Sequence, residues 1–88
     1  MSKRALIASS GDTVSVVAID DFVNIRKFVK DDPDITYYAI DPIYLAPTPK
    51  QVKGLSPADL KRRFDYNISK GRFLKFNGSS FVFMVPTV

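Results

Sequence analysis

Residues 54–71, GLSPADLKRRFDYNISKG, hold the densest set of structural signals in the chain, and residues 72–85, RFLKFNGSSFVFMV, follow directly. Ser56 before Pro57, with an acid at Asp59, is the start of a helix. The serine hydroxyl can accept an orphan backbone N–H, and proline fits the first helical position, where its missing N–H costs nothing. Leu60, Phe64 and Ile68 recur at four-residue spacing and make a buried stripe, while Gly71 suits the left-handed residue that ends a helix. The spacing predicts a helix over 57–70. Arg72–Phe76 and Ser79–Val85 then flank Asn77-Gly78, the pair that favours a two-residue hairpin turn. Such a turn would set Phe76 opposite Ser79, Leu74 opposite Phe81 and Arg72 opposite Phe83.

Upstream, Lys3–Ser9 and Thr13–Ile19 are β-rich runs separated by Ser10-Gly11-Asp12, which predicts a second hairpin at the amino terminus. Strict alternation along the second run puts Val14, Val16 and Ala18 on one side and Val17 and Ile19 on the other. Asp20 offers a helix cap, and Phe22, Ile25, Phe28 and Val29 recur at helical spacing through Lys30. Asp31-Asp32-Pro33-Asp34 stops that helix, because a residue before proline avoids the α region. Ile35–Leu45 is strand-like, with Pro42 marking an edge or a break. Thr48-Pro49 can cap a short helix over 49–53 that Gly54 ends. These elements describe one small α+β domain spanning residues 1–88: an amino-terminal hairpin, two main helices and a carboxy-terminal hairpin.

Composition narrows the function. An apolar fraction of 45% and a charged fraction of 25% are those of a folded domain. Cysteine and histidine are both absent, which removes disulfides, thiolate metal sites and histidine-based catalysis. Asp31, Asp32 and Asp34 would need a shaped loop to hold a hard cation, and no calcium-loop pattern is present. Ser9-Ser10-Gly11 lacks the lysine and spacing of a phosphate-binding loop, and Ser56 has no base to activate it. A non-catalytic protein without metal or cofactor is expected. The apolar run after Met1-Ser2-Lys3-Arg4 spans only Ala5–Ala8, too short for a signal peptide or membrane span, so an unexported, cytoplasmic protein is expected.

Charge supplies a direction. Residues 1–47 carry five Lys or Arg against seven Asp, a net of −2, whereas residues 48–88 carry eight against two, a net of +6. A basic half attracts phosphate or an acidic protein surface. At about 100° per residue, Arg62, Tyr66 and Lys70 lie nearly opposite the Leu60–Phe64–Ile68 stripe, with Lys61 and Arg63 on the flanks. Arg62 and Tyr66 are four apart and can stack. A stripe of this kind neutralises phosphates beside an aromatic ring, and it also serves as an ordinary solvated helix face.

In the hairpin, Phe73, Val82 and Met84 share one face, and Leu74, Phe76, Phe81 and Phe83 share the other. Either it is sandwiched inside the fold, or an aromatic face meets a partner or a second copy of the chain.

The order of helix 20–30, strand 35–41, short helix 49–53, helix 57–70 and tight hairpin 72–85 resembles a winged-helix domain, across residues 20–85. The resemblance implies a nucleic-acid-binding, most directly DNA-binding, function. Arg62, Tyr66 and Lys70 would then face the groove, and Lys75 and Asn77 would belong to the wing. Lys61, Arg63 and Arg72 complete the basic set. A competing arrangement is an open mixed sheet. A competing function is a small regulator or inhibitor of a larger protein, in the style of phage-encoded host modulators. It would act through the aromatic hairpin at Phe81 and Phe83.

Overall fold

A computed structural model of the chain describes residues 3–83. Strands β1 (Lys3–Ser10) and β2 (Thr13–Asp21) form the amino-terminal hairpin, with Ser10 opposite Thr13 and Gly11 at φ +59° in the two-residue connection. Strict alternation fails along β2. Ala18 lies opposite Leu6 and Val16 opposite Ile7, so Val17 is an extra, bulged residue. One inserted residue reverses the parity of the strand beyond it. Val14, Val16 and Ile19 therefore all pack into one core, and Val17 is left 40% exposed.

The helix expected over 20–30 is corrected. Lys3 and Arg4 pair with Asp21 and Asp20, which draws both aspartates into β2. The chain then makes a single helical turn, α1 (Phe22–Ile25), and a 3₁₀ turn at Arg26–Phe28, with Val29 already extended. Six of residues 22–29 are β-branched, aromatic or Asn, against two good helix formers, Arg26 and Lys27, so local propensity does little to sustain a helix. The apolar spacing still has its effect: Ile25 is buried, and Phe28 and Val29 are half-buried behind it. Asp20 is not a helix cap. Its Oδ1 accepts the Asp21 N–H at 2.7 Å and the Asn24 amide at 3.3 Å, which holds its carboxyl below the usual carboxylate range.

Strand β3 (Thr36–Ile40) ends at Asp41, whose side chain accepts the Ile43 N–H at 3.1 Å and caps a 3₁₀ turn over Pro42–Tyr44. Pro42 is thus a break. Helix α2 (Pro49–Lys53) is capped by Thr48, and α3 (Pro57–Ser69) by Ser56, whose hydroxyl accepts the Asp59 N–H at 3.2 Å. Gly71 at φ +68° ends α3 as expected.

The last hairpin, β4 (Leu74–Phe76) and β5 (Phe81–Phe83), has a different register from the expected one. Phe76 lies opposite Phe81, Lys75 opposite Val82 and Leu74 opposite Phe83, leaving residues 77–80 as a four-residue loop. A type I′ turn needs positive φ at both central residues, and among the described residues only glycines have it. Asn77 instead uses its side chain, accepting the N–H groups of Ser79 and Ser80, both at 2.9 Å. Because the slip is two residues, each side chain keeps its expected face. Arg72 closes α3 instead of opening β4, its N–H reaching the Asn67 carbonyl at 3.1 Å. Met84 and Val85, expected in the strand, lie outside the described residues.

The five strands form one sheet in the order β2-β1-β3-β4-β5, every neighbouring pair antiparallel. It is open, as one expected arrangement had it, but not mixed. The α+β class therefore holds. Against one face pack Leu60 and Phe64 of α3, with Val52 and Leu45, over Ala5, Ile7, Ile40 and Phe73. Tyr38, Phe64 and Phe73 make the aromatic centre of that core, with ring centroids 4.9–5.6 Å apart. Against the other face pack Ile25, Phe28 and Val29, over Leu6, Tyr37 and Ala39. The carboxy-terminal hairpin is sandwiched only at its base. Phe73 is buried and Leu74, Phe76 and Phe81 are half-buried, whereas Phe83 is 88% exposed. No helix among the described residues is long and apolar enough to cross a membrane.

Candidate nucleic-acid interface

The inward stripe of α3 contains one polar residue. Asn67 stands three positions after Phe64 and is 1% exposed, so each of its polar atoms needs a partner. Its amide donates to the Tyr44 carbonyl at 3.2 Å and to the Arg63 carbonyl at 2.8 Å. Its Oδ1 accepts from the Arg72 guanidinium at 3.2 Å. The Arg63 guanidinium adds a bond to the Leu45 carbonyl at 2.9 Å. Together these fasten the Pro42–Tyr44 turn and Arg72 to the outer side of α3.

This fastening builds a row of alternating cations and rings. The Arg72 guanidinium lies 4.6 Å from the Tyr44 ring centroid and 5.8 Å from that of Tyr66, and the Lys70 ammonium lies 5.4 Å from that of Tyr66. Tyr44 is 47% and Tyr66 57% exposed, so both rings keep open surface. A shallow cleft of about 330 Å³ runs beside them, lined by Tyr44, Asp59, Arg62, Arg63, Tyr66 and Asn67. A guanidinium stacked on a ring keeps its in-plane N–H donors available to an anion, and an open tyrosine face can take a base.

The fold thus gathers Arg62, Arg63, Tyr66, Lys70 and Arg72 on one surface. Arg62, expected to stack on Tyr66, is ion-paired with Asp59, and Tyr66 takes Lys70 and Arg72 as its cationic neighbours. Lys61 is half-buried against Phe64 and bonds Asp65 at 2.8 Å, so it stands apart from the cluster. Lys75 lies on β4 and lines a different cleft. Asn77, implied as a wing contact, has its carboxamide oxygen engaged by its own loop. Phe81 and Phe83 lie on the sheet face opposite α3. Phe81 packs on Phe76 and Phe22, at 5.1 and 6.0 Å, while Phe83 is open.

Two residues were missed by sequence reasoning. Asn67 had a visible signal, a carboxamide inside an apolar helical stripe. Tyr44 had none, because its role depends on a turn brought in from 23 residues away. Asp31, Asp32 and Asp34 form no convergent carboxylate group: Asp32 accepts the Asp34 N–H at 2.9 Å, as a turn-former does. Comparison with known protein families, curated proteins and solved structures finds no match for the chain.

Proposed function

We propose that the chain is a non-catalytic nucleic-acid-binding domain that uses the outer side of α3 and the residue that closes it. Lys70, Arg72 and Arg62 meet phosphates, Arg63 braces the surface, and Tyr66 with Tyr44 lays rings against bases or sugars. Duplex DNA, the substrate expected from the sequence, is the one this proposal carries forward. The observation carrying this reading is the Tyr44–Arg72–Tyr66–Lys70 row. Scattered surface lysines need no buried asparagine to arrange them, whereas this row joins two distant chain segments, the Tyr44 turn and residues 66–72, around Asn67.

A second reading, a small phage-type regulator of another protein, is favoured by Phe83 at 88% and Val23 at 77% exposure on the other side of the molecule. The double substitution Arg62→Ala/Tyr66→Ala separates the two readings. Exposed replacements of this kind change stability by about 0.5 kcal/mol or less each, so the variant should fold. Fluorescence anisotropy with a labelled DNA duplex should then show binding by the wild type, loss in this variant, and retention in Phe83→Ala. Duplex binding that survives Arg62→Ala/Tyr66→Ala and disappears in Phe83→Ala would move the functional surface to the hairpin.

A further inference from the structure

Strand β5 ends the sheet, and among the described residues only β4 pairs with it. An edge strand offers unpaired backbone donors and acceptors to another chain, and proteins usually blunt such an edge with charge, proline or a bulge. The opposite edge is blunted: β2 bulges at Val17 and ends on Asp20 and Asp21. Strand β5 has none of these devices. It pairs with β4 without a register shift, and residues 76–88 contain no charged side chain.

The hydrogen-bond alternation of the hairpin fixes which groups β5 turns outward. The Asn77 N–H donates to the Ser80 carbonyl at 3.0 Å, which makes 77 and 80 a bonded pair. Bonded and non-bonded pairs alternate along an antiparallel ladder. Lys75 and Val82 are therefore bonded, while Phe81 and Phe83 direct their N–H and C=O groups away from β4. Four outward groups on alternate residues are self-complementary about Val82. In an antiparallel pair of β5 strands related by a two-fold axis, Val82 meets Val82 and Phe81 meets Phe83. Each Phe81–Phe83 pair exchanges two bonds, so all four outward groups of each copy are satisfied. The side chains agree with this register. Phe83 is 88% exposed, whereas Phe81 is half-buried on Phe76 and Phe22, so Phe83 of one copy extends the aromatic cluster of the other. Val82, on the α3 side of the sheet, is 41% exposed and packs on its own symmetry mate.

We propose that the chain self-associates through β5, the occupant of that edge being the β5 strand of a second copy. Two five-stranded sheets then join into one continuous sheet. The two-fold axis of such a junction stands perpendicular to the sheet, which puts both α3 helices on the same side. On the proposed function, on which this consequence alone rests, two copies can bind one duplex side by side. The contact is small, below the roughly 1,200 Å² of a standard interface, so the dimer is a weak one with Kd of about 0.1–1 mM. Each copy carries a net charge of +4, so salt should strengthen the dimer by screening repulsion, opposite in sign to its effect on duplex binding.

The test is sedimentation equilibrium of the protein alone, from about 0.02 to 2 mM, a range that brackets the expected Kd. Monomer should give way to dimer across that range. Phe83→Pro removes one outward N–H per copy and no bond to β4, so it should weaken association by about tenfold or more. Phe83→Leu keeps the N–H and an apolar side chain and should associate nearly as well as the wild type. Phe83→Lys, which changes an exposed side chain and no backbone group, repeats the disruption should Phe83→Pro disturb the hairpin. Arg62→Ala/Tyr66→Ala should leave association unchanged, which keeps this test separate from that of the nucleic-acid surface. Isotope-filtered NMR on mixed labelled and unlabelled chains should show intermolecular contacts between Phe81 and Phe83. Any one of three results overturns the proposal: a monomer throughout; folded Phe83→Pro and Phe83→Lys that associate as tightly as Phe83→Leu; or intermolecular contacts that fall on β2 instead.

Discussion

Asn67→Ala is the substitution that best separates a built surface from an incidental one. The side chain makes three bonds, to the Tyr44 carbonyl, the Arg63 carbonyl and the Arg72 guanidinium. A neutral bond contributes about 1 kcal/mol net, and one to a charged group about 1.5–3 kcal/mol. The Arg72 bond belongs near the low end, because that arginine is exposed and regains water when released. The Arg63 carbonyl lies within α3 and can keep its helical partner, so its loss counts for little. The sum is about 2–3 kcal/mol, against a total of about 4–13 kcal/mol expected for 88 residues. Urea unfolding followed by circular dichroism measures it, with an unchanged denaturant slope confirming that stability alone has moved. Duplex affinity should fall as well, since Tyr44 and Arg72 lose their common anchor. Asn67→Asp keeps an acceptor for Arg72 but forfeits both donors, so it should lose stability while retaining part of the affinity. A loss below about 0.5 kcal/mol in Asn67→Ala, the range of an ordinary surface change, would refute the role given to this residue.

Two further outcomes concern the fold. Phe64→Ala removes a buried ring packed on both Tyr38 and Phe73 and should cost about 3–5 kcal/mol, leaving a domain near its unfolding threshold in a thermal melt. Asp20 has a folded-state carboxyl pKa below its ordinary 3.8, mainly through the Asp21 N–H and then the Asn24 amide. Its stabilisation is therefore present above about that pH and is lost as pH falls through the lower, folded value. The difference in melting temperature between wild type and Asp20→Ala should narrow on acidification below pH 3.8, and a constant difference would contradict the assignment.

Legibility in the sequence tracked how local each determinant is. Helix α3 could be read nearly to its ends, because Ser56, Pro57, the four-residue stripe and Gly71 act within a turn of themselves. The amino-terminal hairpin and the break at Pro42 were equally local. The Val17 bulge was not legible, since a run of β-branched residues has no mark for the one that loses its partner. Residues 20–30 carried a helical apolar spacing, yet the pairing of Lys3 and Arg4 with Asp21 and Asp20 took the first two for the sheet. The last hairpin kept its faces but slipped in register, because Asn77 satisfied loop N–H groups with its side chain instead of adopting positive φ. At the candidate site, the basic face of α3 emerged from periodicity. Its completion by Tyr44 and Arg72 depended on tertiary contacts around Asn67.

The most direct test of nucleic-acid recognition is the salt dependence of duplex binding, measured by anisotropy on the wild type. Each phosphate contact on B-DNA contributes a slope of about −0.9 in log affinity against log salt, so Arg62, Lys70 and Arg72 together give about −2.7. Affinity should then fall about fortyfold between about 50 and 200 mM salt, and Arg72→Ala should reduce the slope by about one contact. An affinity that stays flat across that range, or a slope that Arg72→Ala leaves untouched, would contradict the assignment of this surface to nucleic acid.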